Sequence, residues 1–185
     1  LKSVDFKFLK APLLKNTEVM FMRCSDLVSV DMGNIDFANT TSMRSMFNGC
    51  SKLTDVKFKK MNANSVTSAS DMFNGCSSLK TLDLSGLGSA NLGERSNMFS
   101  DCTSLERVTF GANYVSPTTA GVENGCLPAN GTGKWYAVSD NAAYDPNAIP
   151  TAADTYYTAL PAVLNRTALI NKITGSDTEY VNLVL

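Results

Sequence analysis

Met72-Phe73-Asn74-Gly75-Cys76-Ser77-Ser78-Leu79-Lys80-Thr81-Leu82-Asp83-Leu84-Ser85 is the stretch that decides the fold. Its order returns at a fixed interval on both sides. Met-Phe stands at 20–21, 46–47, 72–73 and 98–99, and Cys24, Cys50, Cys76 and Cys102 each follow the previous one by 26 residues. Leu1, Leu27, Leu53, Leu79 and Leu105 form the next column. Val4, Val30, Val56, Leu82 and Val108 form another, followed by Phe6, Met32, Phe58, Leu84 and Phe110 and by Leu9, Ile35, Met61 and Leu87. A fixed period of this length marks a stack of equivalent coils, none of which can bury its apolar face alone.

Within one period two halves differ. In L-x-x-V-x-F the apolar residues alternate, so Val56 and Phe58 face one side and Lys57 the other, as in a strand. In the other half, Met43, Met46, Phe47 and Cys50 recur at spacings of three and four, which predicts a short helix. Thr40, Thr41 and Ser42 supply cap chemistry before it, and Asn48-Gly49 a stop after it. The fourth period strains this expectation: Arg95 stands where Met43 and Ala69 stand, Gly93 interrupts, and Asp101 replaces the glycine. The fold class expected is therefore an α/β repeat, a short leucine-rich-repeat solenoid of helix-turn-strand coils, with a β-rich C-terminal cap. Leu1 is already in a column, which implies that the chain opens within a repeat.

The quoted phrase resembles the MF-x-x-C-S-S-L-x-x-L-D-L-S unit of the BspA-like leucine-rich-repeat bacterial surface proteins. The likeness is close over residues 1–112 and weaker over Gly133–Tyr136 through Thr155–Tyr157. It implies an extracellular or cell-surface location and an adhesion role, with a protein or glycan partner on a host, a matrix or a neighbouring cell.

Composition narrows the chemistry. The 185 residues hold no histidine, which removes Ser-His-Asp and Cys-His catalysis and His-ligated metals. A net charge of −1, from 16 basic and 17 acidic side chains, argues against nucleic acid as partner. No apolar run approaches the length of a membrane span. No paired carboxylates stand in a recognisable pocket motif, so the reading is not an enzyme, with no cofactor and no metal.

Three segments follow: the solenoid at 1–112, an irregular or β cap at 113–160, and a tail at 161–185. In the tail, Ala162–Ile173 has a helical pattern and Glu179–Leu185 a strand pattern. The tail either packs on the stack, pairs with another chain or begins another domain. In the cap, Lys134–Ser139 and Thr155–Leu160 read as strands.

The cysteine column has three readings: buried thiols, a disulfide, or a metal site. Parallel Cβ atoms one strand apart fit a bridge poorly, and a straight column does not converge on a metal. Cys126 is off register and could meet Cys102. Ligand-binding candidates lie on the outward strand face: Asp5, Ser29, Asp31, Asp55, Lys57, Thr81, Asp83 and Arg107. The same residues also suit a merely solvated face. Trp135 and Tyr136 read as core of the cap or as a carbohydrate or peptide platform. The function implied is noncovalent binding of a macromolecule by the strand face, and the alternative is a structural spacer with no ligand of its own.

Overall fold

The computed structural model describes residues 1–59, 61–88, 91–112, 127–150 and 153–159. Strands open the successive coils: β1 (Ser3–Asp5), β2 (Ser29–Asp31), β3 (Asp55–Lys57), β4 (Thr81–Leu84) and β5 (Arg107–Phe110). β1, β2 and β3 pair in parallel with Val4 opposite Val30 and Val30 opposite Val56. β4 and β5 pair in parallel with Leu82 opposite Val108. Each partner is the residue 26 positions on, so the sequence columns are spatial ladders.

No helix occurs among the described residues, and the helix-turn-strand expectation is corrected here. The segments with helical spacing are runs of overlapping turns. In the second coil the N–H groups of Met46, Asn48 and Cys50 close turns onto the carbonyls of Met43, Ser45 and Phe47. The intervening N–H groups, of Met43, Ser45, Phe47 and Gly49, leave the coil and donate to Ser68, Ser70, Met72 and Asn74 of the next. The first and third coils repeat this arrangement along 17–24 and 69–76. An α-helix would turn its donors past the first turn onto carbonyls four residues back within the same coil. Here alternate donors bind the stack together, so the turn row is a second ladder opposite the strands.

That geometry also needs positive φ at two positions per coil. Val19, Ser45, Asp71 and Asn97 hold the first, with φ between 51° and 57°. Arg23, Gly49, Gly75 and Asp101 hold the second, with φ between 58° and 76°. A turn with positive φ at its third residue favours Gly or Asn there, which is why Gly49 and Gly75 stand where a helix stop was expected. The fourth coil follows the same rule with Asn97 and Asp101, so Asp101 in place of the glycine is no anomaly.

Between the ladders the columns pack as core. Phe21, Phe47, Phe73 and Phe99 stack ring on ring, with centroids 5.3, 5.4 and 6.3 Å apart and planes within 13°. Met43, Met46, Met72, Met98 and the leucines from Leu27 to Leu105 are buried beside them. Arg95 occupies a core position at 5% exposure; its Nη1 donates to the Leu92 carbonyl at 2.7 Å, while its buried Nε has no partner.

The cap ends the strand ladder by reversing direction. β8 (Asp154–Tyr157) pairs antiparallel with β5 and with β6 (Trp135–Ala137), which pairs with β7 (Ala143–Tyr144). The sheet order is β4-β5-β8-β6-β7. Tyr156 carries the core across, its ring 6.1 Å from that of Phe110. Leu127, Trp135, Ala137 and Ile149 are buried with it. Asn130 Nδ2 donates to the carbonyls of Cys102 and Leu105, both at 2.9 Å, tying the cap to the fourth coil. Cys126, the stretch 113–126 and the tail expectation for 161–185 lie outside the described residues.

Candidate functional site

The outward strand face carries the sequence candidates as two rows, and the structure divides them by chemistry. Asp5 and Asp31 end β1 and β2, and Asp83 is the penultimate residue of β4. Each turns one carboxylate oxygen onto the backbone N–H two residues on: Lys7 at 2.7 Å, Gly33 at 2.7 Å and Ser85 at 2.9 Å. These are Asx turns, which end the strand and start the loop. Each of the three aspartates is thus tied to its own loop through one carboxylate oxygen. Lys57 breaks the column and instead pairs with Asp55 at 3.2 Å. Thr81 and Arg107 are exposed and Ser29 is half-buried. On adjacent columns Lys52 meets Asp26 at 2.6 Å and Lys80 meets Glu106 at 3.6 Å. The Lys52 ammonium holds the Asp26 carboxyl below its ordinary range. All of these pairs are solvent-exposed, so they pattern charge on the face more than they stabilise it.

A concavity opens where the loops after β3 and β4 meet. The strand ladder is interrupted between β3 and β4, which belong to separate sheets. There the loops after them are joined through Ala63 and Leu87 instead. A groove of about 620 Å³ lies at the interruption, lined by Phe58, Lys59, Met61, Asn62, Asn64 and Asp83 among others. Gly86 permits the close approach of the two loops, since a Cβ there would fall 1.5 Å from the Met61 carbonyl oxygen. The sequence reading placed Asp83 on the face but missed Lys59, Asn62 and Asn64. Their grouping depends on a break in the ladder that no column announces.

The cap candidates part company. Trp135 is fully buried and its Nε1 donates to the Pro128 carbonyl at 2.9 Å, so its ring is core and offers no platform. Tyr136, on the other face of β6, is half-buried. Tyr144 donates its hydroxyl to Asp140 at 2.6 Å. That bond raises the Tyr144 pKa and lowers that of Asp140.

The four described cysteines, Cys24, Cys50, Cys76 and Cys102, are free thiols, and the last three have a defined structural task. Cys50 Sγ donates to the Phe21 carbonyl at 3.0 Å, Cys76 to Phe47 at 3.2 Å and Cys102 to Phe73 at 3.1 Å. Each of those carbonyls already accepts a turn N–H, so the thiol fills its second acceptor position. Burial pushes Cys50 up to about 11 and Cys102 up to about 12, and moves Cys76 the same way. Such thiols are poor nucleophiles. Among the described residues no group of three or more Cys, Asp or Glu side chains is placed to hold a metal. No helix among them is long and apolar enough to cross a membrane.

Ladder, strand face and thiol column define a class: a stack of in-register 26-residue coils with strand and turn ladders on opposite sides. The family described as "Mycoplasma protein of unknown function, DUF285" matches residues 15–120, more than half of the chain, and the chain belongs to this family. Comparisons with curated proteins and with solved structures returned no match.

Proposed function

We propose that the chain is a noncovalent binding module, not an enzyme, and that its exposed strand face engages a macromolecular partner. The observation that carries this reading is the fixed presentation of unlike polar side chains. Asp55, Lys57, Thr81, Asp83 and Arg107 project from strands held between core and ladder, where little side-chain support has to be organised on binding. The groove beside Asp83 adds a concave polar feature with Lys59, Asn62 and Asn64 at its wall. The partner class is a protein or glycan. The likeness of the repeat phrase to BspA-like surface proteins supports placing the module at a cell surface and the role in adhesion.

The spacer reading is favoured by one observation: Asp5, Asp31 and Asp83 each commit an oxygen to their own loop, a structural task that needs no ligand. An array of matrix proteins and glycans separates the two, with the Lys57→Glu, Arg107→Glu double variant beside the parent. Saturable binding lost in the double variant supports the strand face. Retention of nothing specific by either protein leaves the spacer.

A further inference from the structure

The groove at the β3–β4 interruption is lined by side chains that the columns do not repeat. At the positions of Asn62 and Asn64 the second coil has Asp36 and Ala38. Asp36 Oδ1 accepts the Ala38 N–H at 2.9 Å, an Asx turn that serves its own loop. In the third coil the same position turns to a side chain instead: Asn64 Nδ2 donates to Asn62 Oδ1 at 3.1 Å. The backbone of Asn64 is held in turn, because Asn91 Nδ2 donates to its carbonyl at 3.3 Å. Gly88 leaves room for the amide, since a Cβ there would fall 2.4 Å from Asn64 Oδ1.

The paired amides keep one hydrogen-bonding group of each kind. Asn62 Nδ2 is left as a donor and Asn64 Oδ1 as an acceptor, neither with a partner among the described residues. Reversing both amides still leaves one donor and one acceptor. On the same groove Asp83 spends Oδ1 on the Ser85 N–H, and its Oδ2 has no partner among the described residues. Lys59 is exposed and in no ion pair among them. One cation and one anion leave the described lining neutral. Its aromatic member is half-buried Phe58, whose ring is held edge-on by Phe37 at 5.9 Å and Phe47 at 6.4 Å. Adjacent sugar hydroxyls, each both donor and acceptor, meet an amide N–H and an amide or carboxylate oxygen together. The C–H face of a sugar ring packs on a fixed aromatic ring. A phosphate would meet the Asp83 carboxylate beside a single lysine, and a peptide anchor would want an apolar pocket. The volume of about 620 Å³ lies in the range of small-ligand sites and admits a few sugar rings.

We propose that this groove is a saccharide subsite: the Asn62–Asn64 amide pair and Asp83 bind hydroxyls of a neutral oligosaccharide, and Phe58 meets its C–H face. This rests on the reading of the chain as a noncovalent binding module and narrows the partner to a glycan.

Titration of the isotope-labelled whole chain with cellotriose, maltotriose, galactotriose and chitotriose, followed by amide NMR, tests this residue by residue. The expected result is saturable shifts with at least one sugar, centred on the side-chain amides of Asn62 and Asn64 and the backbone of 83–88. Asn62→Ala with Asn64→Ala should weaken that binding by at least about tenfold. Asp83→Asn keeps an Oδ1 for the Ser85 N–H but loses the charge, and should weaken it by about fivefold. Phe58→Leu should weaken it by about threefold. Circular dichroism of the Asn and Asp variants should match the parent, since all three side chains are exposed. Absence of shifts with all four sugars overturns the proposal. Undiminished binding by the double Ala variant, or shifts centred away from the groove, also overturns it. Lys57 and Arg107 do not line the groove, so Lys57→Glu, Arg107→Glu should leave the sugar titration unchanged. Array binding lost in that variant but kept by Asn62→Ala, Asn64→Ala, with no response to sugar, would keep the strand face and remove the groove, so the two readings fail separately.

Discussion

Each coil has two ladders, and they ask different things of the sequence. The strand row pairs residues 26 apart in extended backbone, which any L-residue adopts, and it asks only that alternate side chains be apolar. The turn row pairs through alternate N–H groups and asks for positive φ twice per coil. It also carries the stacked phenylalanines and the thiol column. The comparison teaches that the side of the coil with the less regular backbone holds the more specific chemistry.

The largest expected effect tests that inequality. Phe73 is buried between Phe47 and Phe99, and Phe73→Ala should cost about 3–5 kcal/mol in urea unfolding. Val56→Ala, in the strand row, removes less buried surface and should cost about 1–2 kcal/mol. Equal losses would remove the claim that the turn row dominates. A gain is expected nearby: Arg95→Met returns the column to the residue type of Met43 and removes a buried Nε without a partner. It should stabilise by about 1–3 kcal/mol.

The thiol column sharpens the comparison by pH. The folded pKa values of Cys50 and Cys102 lie above the ordinary value of 9.0, because burial disfavours the thiolate. A raised folded pKa gives stability that is complete below the unfolded value and is lost as pH rises through the folded one. The urea midpoint should therefore hold up to about pH 9 and fall toward pH 11–12. Each thiol contributes at most tenfold in the folding constant per pH unit. A Cys50→Ser, Cys102→Ser variant keeps the hydrogen bonds to Phe21 and Phe73 and should fall less steeply. In the native state at pH 8, a maleimide should label half-buried Cys24 well before buried Cys50, Cys76 and Cys102.

Backbone conformation gives the next effect in size. Val19 holds φ of 53°, a costly place for a β-branched side chain, and it is half-exposed. Val19→Gly should stabilise by about 1 kcal/mol, while Gly49→Ala at φ of 76° should destabilise by about 1–2 kcal/mol. A helix would reverse the first sign, since glycine is a poorer helix former than valine, but would keep the second, because Gly49 would be its left-handed stop; Val19→Gly is the change that separates the two backbones.

That reversal shows why half of each coil was legible and half was not. The period, the parallel register and the inward alternation of Val30 and Val56 follow from column spacing alone. The spacing of Met43, Met46, Phe47 and Cys50 fits a helix and a run of turns equally. What distinguishes them is a pair of columns, Ser45-Asp71-Asn97 and Gly49-Gly75-Asp101, rich in residues that tolerate positive φ. The site was legible in part for a related reason. Outward positions follow from alternation, but the Asx turns of Asp31 and Asp83 and the groove at the β3–β4 interruption depend on where the chain goes next.

The smallest effect concerns two serines in one column. Ser42 Oγ donates to Glu18 at 2.6 Å, and that bond is the main reason the Glu18 carboxyl is held below its ordinary value of 4.5. One coil on, Arg44 replaces Glu18, and the buried Ser68 Oγ has no partner. Ser42→Ala should lower the urea midpoint at pH 7, and Ser68→Ala should leave it unchanged or raise it slightly. A lowered folded pKa gives stability present above the unfolded value and lost as pH falls through the folded one, so the cost of Ser42→Ala should fade below pH 4.5. Arg44→Glu hands Ser68 the acceptor that Ser42 has. In that background Ser68→Ala should become costly, and a double-mutant cycle between the two positions reads the difference. A coupling near zero would mean that the column repeats in sequence without repeating its hydrogen bonds.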